Sequence, residues 1–246
     1  MITIKNLHKF YGKKEVLKGI DLTIKDGDIF GFAGSNGAGK TTTIKAMLGI
    51  LPFDSGDVLY DGVSIKDEPL KIKQEIAYIP DNPDIYEHLT GFEYLSFIAD
   101  MYETDAKVKN DNIKKYSKLL EIDTKLNDKI GSYSHGMKQK IVIISALIHE
   151  PKVLIMDEPF VGLDPLSTHT LKELMKDLTK EGKIIFFSTH VLDVAEKLCN
   201  KIAIIKNGKI LIEGTMKEVT KNSSLEDIFL ELVNHEYIYI FNECKY

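Results

Sequence analysis

Read as a string of apolar and polar positions, the chain opens with short alternating runs, Ile2-Thr3-Ile4 and Ile20-Asp21-Leu22-Thr23-Ile24. Turn signals set them off at Gly12-Lys13-Lys14 and Lys25-Asp26-Gly27-Asp28, so a small antiparallel sheet is expected at the N-terminus. The pattern then changes. Ile29-Phe30-Gly31-Phe32-Ala33 is a continuous apolar run, as in a strand covered on both faces, and it feeds a glycine-rich loop. From Lys40 to Leu51 the apolar spacing is helical, and Pro52 is expected to stop it. Between about residues 85 and 140, long helical patterns rich in Lys, Glu and Leu predict a helical subdomain inserted between halves of the core. Val153-Leu154-Ile155-Met156, Lys183 to Phe187 and Ile202 to Ile205 are apolar runs bounded by helices or turns, as strands of a parallel sheet are. Leu225 to Val233 reads as a last short helix, and no internal repeat is visible.

Length fits one α/β domain carrying a subdomain, since 246 residues exceed one compact unit and fall short of two generous ones. With 43% hydrophobic residues, 28% charged residues and a net charge of −5, the chain has enough apolar surface for a core. The acidic balance argues against a broad basic face for nucleic acid, which needs clustered positive charge to release counterions. The longest apolar run, Ile141 to Ile148 with one serine inside it, is far below the roughly 20 residues that span a bilayer. Met1-Ile2-Thr3-Ile4-Lys5 alternates like a strand and lacks the apolar stretch of a signal peptide, and Cys199 and Cys244 have no CxxC spacing. A cytoplasmic protein without disulfide framework or zinc site is expected. All 32 residues in the Lys+Arg total are lysines, so no arginine finger can come from this chain.

Gly34-Ser35-Asn36-Gly37-Ala38-Gly39-Lys40-Thr41, followed by Thr42, fits the phosphate-loop pattern. Its glycines let backbone N–H groups converge on phosphate oxygens, Lys40 reaches the outer phosphates, and Thr41 is placed to bind Mg²⁺. Lys152-Val153-Leu154-Ile155-Met156-Asp157-Glu158 puts two carboxylates at the carboxyl end of a buried strand, where ligands of parallel sheets bind. Asp157 is suited to the Mg²⁺ shell and Glu158 to taking a proton from an attacking water. The fold class expected is α/β: a P-loop NTPase core with a mostly parallel sheet, an N-terminal antiparallel β subdomain and the inserted helical subdomain.

The order of these motifs resembles the nucleotide-binding subunit of an ABC transporter over residues 1–233, leaving residues 234–246 as a tail. Lys9-Phe10-Tyr11-Gly12 is similar to the segment whose aromatic stacks on adenine, which makes Tyr11 the platform. Tyr133-Ser134-His135-Gly136-Met137-Lys138-Gln139-Lys140 is similar to the signature motif, with Ser134 and Gly136 implied to bind the γ-phosphate of ATP held by the opposite subunit. Gly162-Leu163-Asp164 resembles the loop that touches the partner, and Ser188-Thr189-His190 resembles the segment whose histidine contacts the γ-phosphate and the attacking water. Where the family has a glutamine after a strand, Ile76-Ala77-Tyr78-Ile79-Pro80 leads to Asp81, which accepts hydrogen bonds from metal-bound water but cannot donate as an amide does. His135 stands where the signature has a glycine, and Lys140 where an arginine is common.

The resemblance implies an ATPase that works as a homodimer or with a paired ATPase subunit, each nucleotide enclosed between the phosphate loop of one copy and the signature of the other. It also implies ATP and Mg²⁺ at the site, separate integral membrane permease subunits, no nucleic acid, and a place on the cytoplasmic face of the cell membrane. Asp81 and the following loop, Asn82 to Leu89, fall where the family couples nucleotide state to the permease. The signature, the Pro80-Asp81 pair and Leu225-Glu226-Asp227-Ile228-Phe229 are similar to exporter-type subunits for drugs and peptide antibiotics, with an importer subunit or a soluble ATPase of DNA repair or ribosomes as alternatives. A P-loop kinase or GTPase would lack Ser134 and Gly136. His8, His88, His149, His169 and His235 share no metal-ligand spacing, Cys199 is expected to be a buried inert thiol, and Tyr237-Ile238-Tyr239-Ile240-Phe241 leaves strand, core packing or partner contact open.

Overall fold

The computed structural model describes residues 1–221 and 223–232. The chain begins with β1 (Ile2–Tyr11) and β2 (Lys14–Ile24), an antiparallel hairpin in which Ile2 faces Ile24. β3 (Ile29–Ala33) follows, then the phosphate loop and α1 (Lys40–Met47). β4 (Ser55–Tyr60) and β5 (Val63–Ser64) complete a four-stranded sheet in the order β2-β1-β4-β5. α2 (Pro69–Gln74) leads to β6 (Ile76–Ile79). The expected helical insertion consists of α3 (Gly91–Met101), α4 (Ala106–Leu119) and α5 (His135–Leu147), so its last helix runs past residue 140 and back onto the sheet.

β7 (Val153–Asp157), α6 (Pro165–Lys180), β8 (Ile184–Thr189), α7 (Leu192–Leu198) and β9 (Lys201–Lys206) alternate as the apolar runs predict. β10 (Lys209–Thr215) and α8 (Met216–Val219) follow, and residues 225–232 are helical. The second sheet has the order β10-β9-β3-β8-β7-β6, with β10 antiparallel and the other five strands parallel. The tail at residues 234–246, with His235, Tyr237 to Phe241 and Cys244, lies outside the described residues.

The parallel strands are apolar through their middles because both faces are covered. Phe30, Phe32, Ile155, Phe186 and Ile205 face one core with α1 and the antiparallel sheet. Ile29, Leu154, Met156, Phe187 and Ile204 face the other, with α5, α6 and α7. Phe30 and Phe186 stack across neighbouring strands with centroids 5.7 Å apart, and each fully buried side chain of this size contributes about 1.5–3 kcal/mol. Cys199 is buried at the end of α7, and burial pushes its thiol pKa up, as expected of an inert position.

α1 corrects one expectation. It ends at Met47 rather than continuing to Pro52, because Gly49 adopts φ +59° and closes the helix. Gly49 N donates to Ala46 O and Ile50 N to Lys45 O, the paired bonds of a glycine-terminated helix end.

Candidate functional site

β3 delivers the chain to the carboxyl edge of the parallel sheet, and residues 34–39 turn it into α1. Gly37 and Gly39 hold φ of +78° and +116°, conformations that side chains strain to reach. Gly39 caps α1 without a side-chain acceptor, so the first-turn amides stay available to an anion. The Lys40 side chain is only 7% exposed and runs back along the loop, donating to Gly34 O at 2.7 Å and Ser35 O at 3.5 Å.

The end of β7 supplies two acidic groups, met by residues from the end of its neighbour β8. Asp157, last in β7 and buried, accepts a hydrogen bond from Thr41 Oγ1 at 2.6 Å on Oδ2 and one from Ser188 Oγ on Oδ1. Glu158 turns out of the strand with φ +49°, an uncommon conformation for a residue with a side chain. Its amide donates to Ser188 Oγ at 3.2 Å, and its carboxylate lies 3.3 Å from Lys40 Nζ and 3.0 Å from His190 Nδ1. The structure thus brings together Lys40, Thr41, Asp157, Glu158 and His190 from three distant segments. Ser188, which donates to the Asp157 carboxylate and accepts from the Glu158 amide, carries no role in the sequence reading, and its only signal there is its place two residues before His190 at a strand end.

A cleft of about 370 Å³ opens over these groups, lined by Tyr11, Ser35, Asn36, Gly37, Gly39, Lys40, Thr41, Thr42, Asp81, Asp157 and Glu158, with Val16 as a further apolar wall. Gly34 and Ala38 are buried and do not line it. Tyr11 is half exposed at the tip of the β1–β2 hairpin, open to a flat ring. Burial, then the charges of Asp157 and Glu158, raises the pKa of Asp81, and His135 and His190 offset part of that. Among the described residues no group of three or more His, Cys, Asp or Glu side chains is placed to hold a metal by itself. Thr41 and Asp157 already share one locus, a donor set that suits Mg²⁺, which binds through one or two protein oxygens and substrate phosphates.

Ser134, Gly136 and Asp164 do not line this cleft. Ser134 is exposed and caps α5 by accepting from Met137 N at 3.3 Å. Asp164 caps α6, accepting from Ser167 N at 2.8 Å and Ser167 Oγ at 2.7 Å, and those bonds hold its pKa down to about 2. Lys140 lies 3.3 Å from Asp164, and the His135 ring lies against Gly162, so the two helix starts form one surface. No helix among the described residues is long and apolar enough to cross a membrane.

A family model described as ABC transporter matches residues 17–161. The linearmycin resistance ATP-binding protein LnrL of Bacillus subtilis (strain 168) is 39% identical over 222 residues, 89% of this chain and 70% of that one. The ABC-type transporter ATP-binding protein EcsA of the same organism is 33% identical over 241 residues, 96% of this chain and 98% of that one. A solved structure of an ATP-binding subunit of an ABC transporter matches with a TM-score of 0.91 and 32% identity, covering 95% of this chain and 99% of that one. A dimeric ATP-binding cassette in a post-hydrolysis state, bound to ADP and Pi, matches with a TM-score of 0.81 and 25% identity, covering 88% and 99%.

Proposed function

The chain belongs to the ABC transporter ATP-binding family, and from that membership we propose that this ATPase drives export through separate permease subunits, docked on the cytoplasmic face of the membrane. The observation that carries the reading is a division of the site. Lys40, Thr41, Asp157 and Glu158 line one cleft, with His190 against Glu158, whereas the Ser134–Gly136 helix start and Asp164 share another surface. A second ATPase subunit, a copy of this chain or a related one, brings its signature helix to the γ-phosphate in this cleft. The residues 1–233 act as one such unit.

In the paired state the loop amides and Lys40 bind the β- and γ-phosphates, and Tyr11 stacks on the base. Thr41 and Asp157 would hold Mg²⁺, with Asp81 accepting from its water shell; the ion supplies charge neutralisation at the phosphates. Glu158 accepts the proton of the attacking water, and His190 orients water and phosphate for in-line attack. Because the chain has no arginine, the fixed positive charge its own cleft brings to the γ-phosphate rests with Lys40, aided by the His190 ring as a hydrogen-bonding group and by the N-terminus of the partner's signature helix. ATP stabilises the dimer by binding across it, and hydrolysis removes that stabilisation.

The export direction draws support from LnrL, a relative named for resistance to linearmycin. Purification of the tagged chain from detergent-solubilised membranes tests the assignment. An integral membrane protein is expected to co-purify, and recovery of the chain wholly in the soluble fraction without one would overturn it.

A further inference from the structure

The ring of Tyr11 stands at the tip of a hairpin, the part of a two-stranded ribbon that frays most readily. β1 is paired with β4 only as far as His8, which faces Ser55, and its register with β2 shifts between Lys9 and Phe10. The ladder on the β4 side therefore stops just before the residues that carry the ring. Asp54, the residue ahead of β4, continues it with a side chain. Its Oδ2 accepts from Phe10 N at 2.7 Å, its own amide donates to His8 O at 3.0 Å, and the same Oδ2 lies 3.5 Å from Lys9 Nζ. The Lys9 side chain is largely covered, and its Nζ sits 5.6 Å from the centroid of the Tyr11 ring.

We infer that Asp54 and Lys9 are positioning residues for nucleotide-base binding, with Asp54 bracing the hairpin tip and Lys9 supporting one side of the Tyr11 ring. The inference rests on the reading of Tyr11 as the base platform and adds what keeps that platform in place. Lys9 is a cation within reach of the ring, held there by Asp54. A ring fixed in one orientation binds a base without first paying to be ordered. Neither side chain lines the cleft, so both act through Tyr11.

The test uses the purified chain with two probes, ATP and tripolyphosphate, which offers phosphates without a base. Tyr11→Ala is expected to weaken ATP about fivefold, the scale of a lost aromatic stack, and to leave tripolyphosphate unchanged. Asp54→Ala and Lys9→Met should each follow it, weakening ATP about threefold with tripolyphosphate unchanged and raising KM rather than kcat. Asp54→Asn, which keeps an acceptor for Phe10 N but loses the charge, should fall between Asp54→Ala and the parent chain. If Tyr11→Ala weakens ATP while Asp54→Ala and Lys9→Met do not, the bracing role is overturned and the platform stands. If Tyr11→Ala leaves ATP binding unchanged, the platform and its brace fall together. Equal weakening of ATP and tripolyphosphate in Asp54→Ala and Asp54→Asn would assign Asp54 to general stability and overturn the inference.

Discussion

His190 Nδ1 lies 3.0 Å from Oε2 of Glu158, joining the residues just beyond the ends of two adjacent parallel strands. The other carboxylate oxygen of Glu158 faces Lys40 Nζ at 3.3 Å, so the carboxylate rests between the Lys40 ammonium and the His190 ring. On the proposed reading, a γ-phosphate entering the cleft would compete for Lys40 and free Glu158 to face water.

Glu158→Gln keeps the shape of this side chain and removes its basicity. ATP binding should persist while turnover falls at least about 100-fold, the scale of a lost general base. An ATP-bound dimer should then accumulate, seen as a shift to larger size in chromatography with ATP. Normal turnover in this variant would remove Glu158 from the general-base role.

Thr41 Oγ1 donates to Asp157 Oδ2 across 116 residues of sequence, and the pair marks the place proposed for Mg²⁺. Thr41→Ala should weaken binding of ATP with Mg²⁺ more than binding of ATP in EDTA, whereas Thr41→Ser should keep both. Titration calorimetry under the two conditions separates the outcomes. Equal loss in both conditions would mean that Thr41 serves the loop rather than the ion.

The reach of the sequence can be judged from particular residues. The parallel strands were legible because burial on both faces leaves no polar alternation, and Phe30, Ile155, Phe186 and Ile204 are fully covered. The loop residues 34–39 were legible because phosphate binding demands glycines at fixed spacing. β4, β5 and β10 carry no such signal: β4 opens with Ser55-Gly56-Asp57, β5 has two residues, and β10 has no fully buried residue. Their pairing depends on distant strands rather than on local pattern. Ser188 and Asp54 were illegible for a related reason. Each acts through hydrogen bonds to residues far away in sequence, and a lone serine or aspartate carries no spacing that announces a partner.

Gly162 has φ +80°, and a Cβ there would lie 2.3 Å from Cδ2 of His135. Gly162→Ala therefore strains the loop and displaces the His135 ring that packs on it at the signature helix start. The cleft residues of the same chain are untouched, so ATP affinity of the isolated subunit should hold. In the Glu158→Gln background, ATP-driven dimerisation should weaken by at least about tenfold, equivalent to 1.4 kcal/mol. Sedimentation with and without ATP reads this directly, and unchanged dimerisation would separate the His135–Gly162 surface from the subunit contact.

His149 stacks on Tyr102 with ring centroids 3.7 Å apart, and neither of its ring nitrogens has a hydrogen-bond partner among the described residues. Burial pushes its pKa down to about 4, with the Lys183 charge acting the same way and the nearby Ile76 backbone opposing in part. Above pH 6.5 the imidazole is neutral whether the chain is folded or unfolded, and its full contribution to stability is present. As the pH falls below 6.5 the unfolded chain takes up a proton that the folded chain refuses, so stability is lost progressively until about pH 4. Allowing for partial solvent screening, the loss is on the order of 2 kcal/mol. Urea unfolding of the parent and of His149→Phe at pH 7.5 and pH 5 should show a smaller pH-driven drop in the variant, which keeps the ring contact and lacks the titrating group. Parallel drops in the two proteins would mean that the buried imidazole does not set the acid sensitivity.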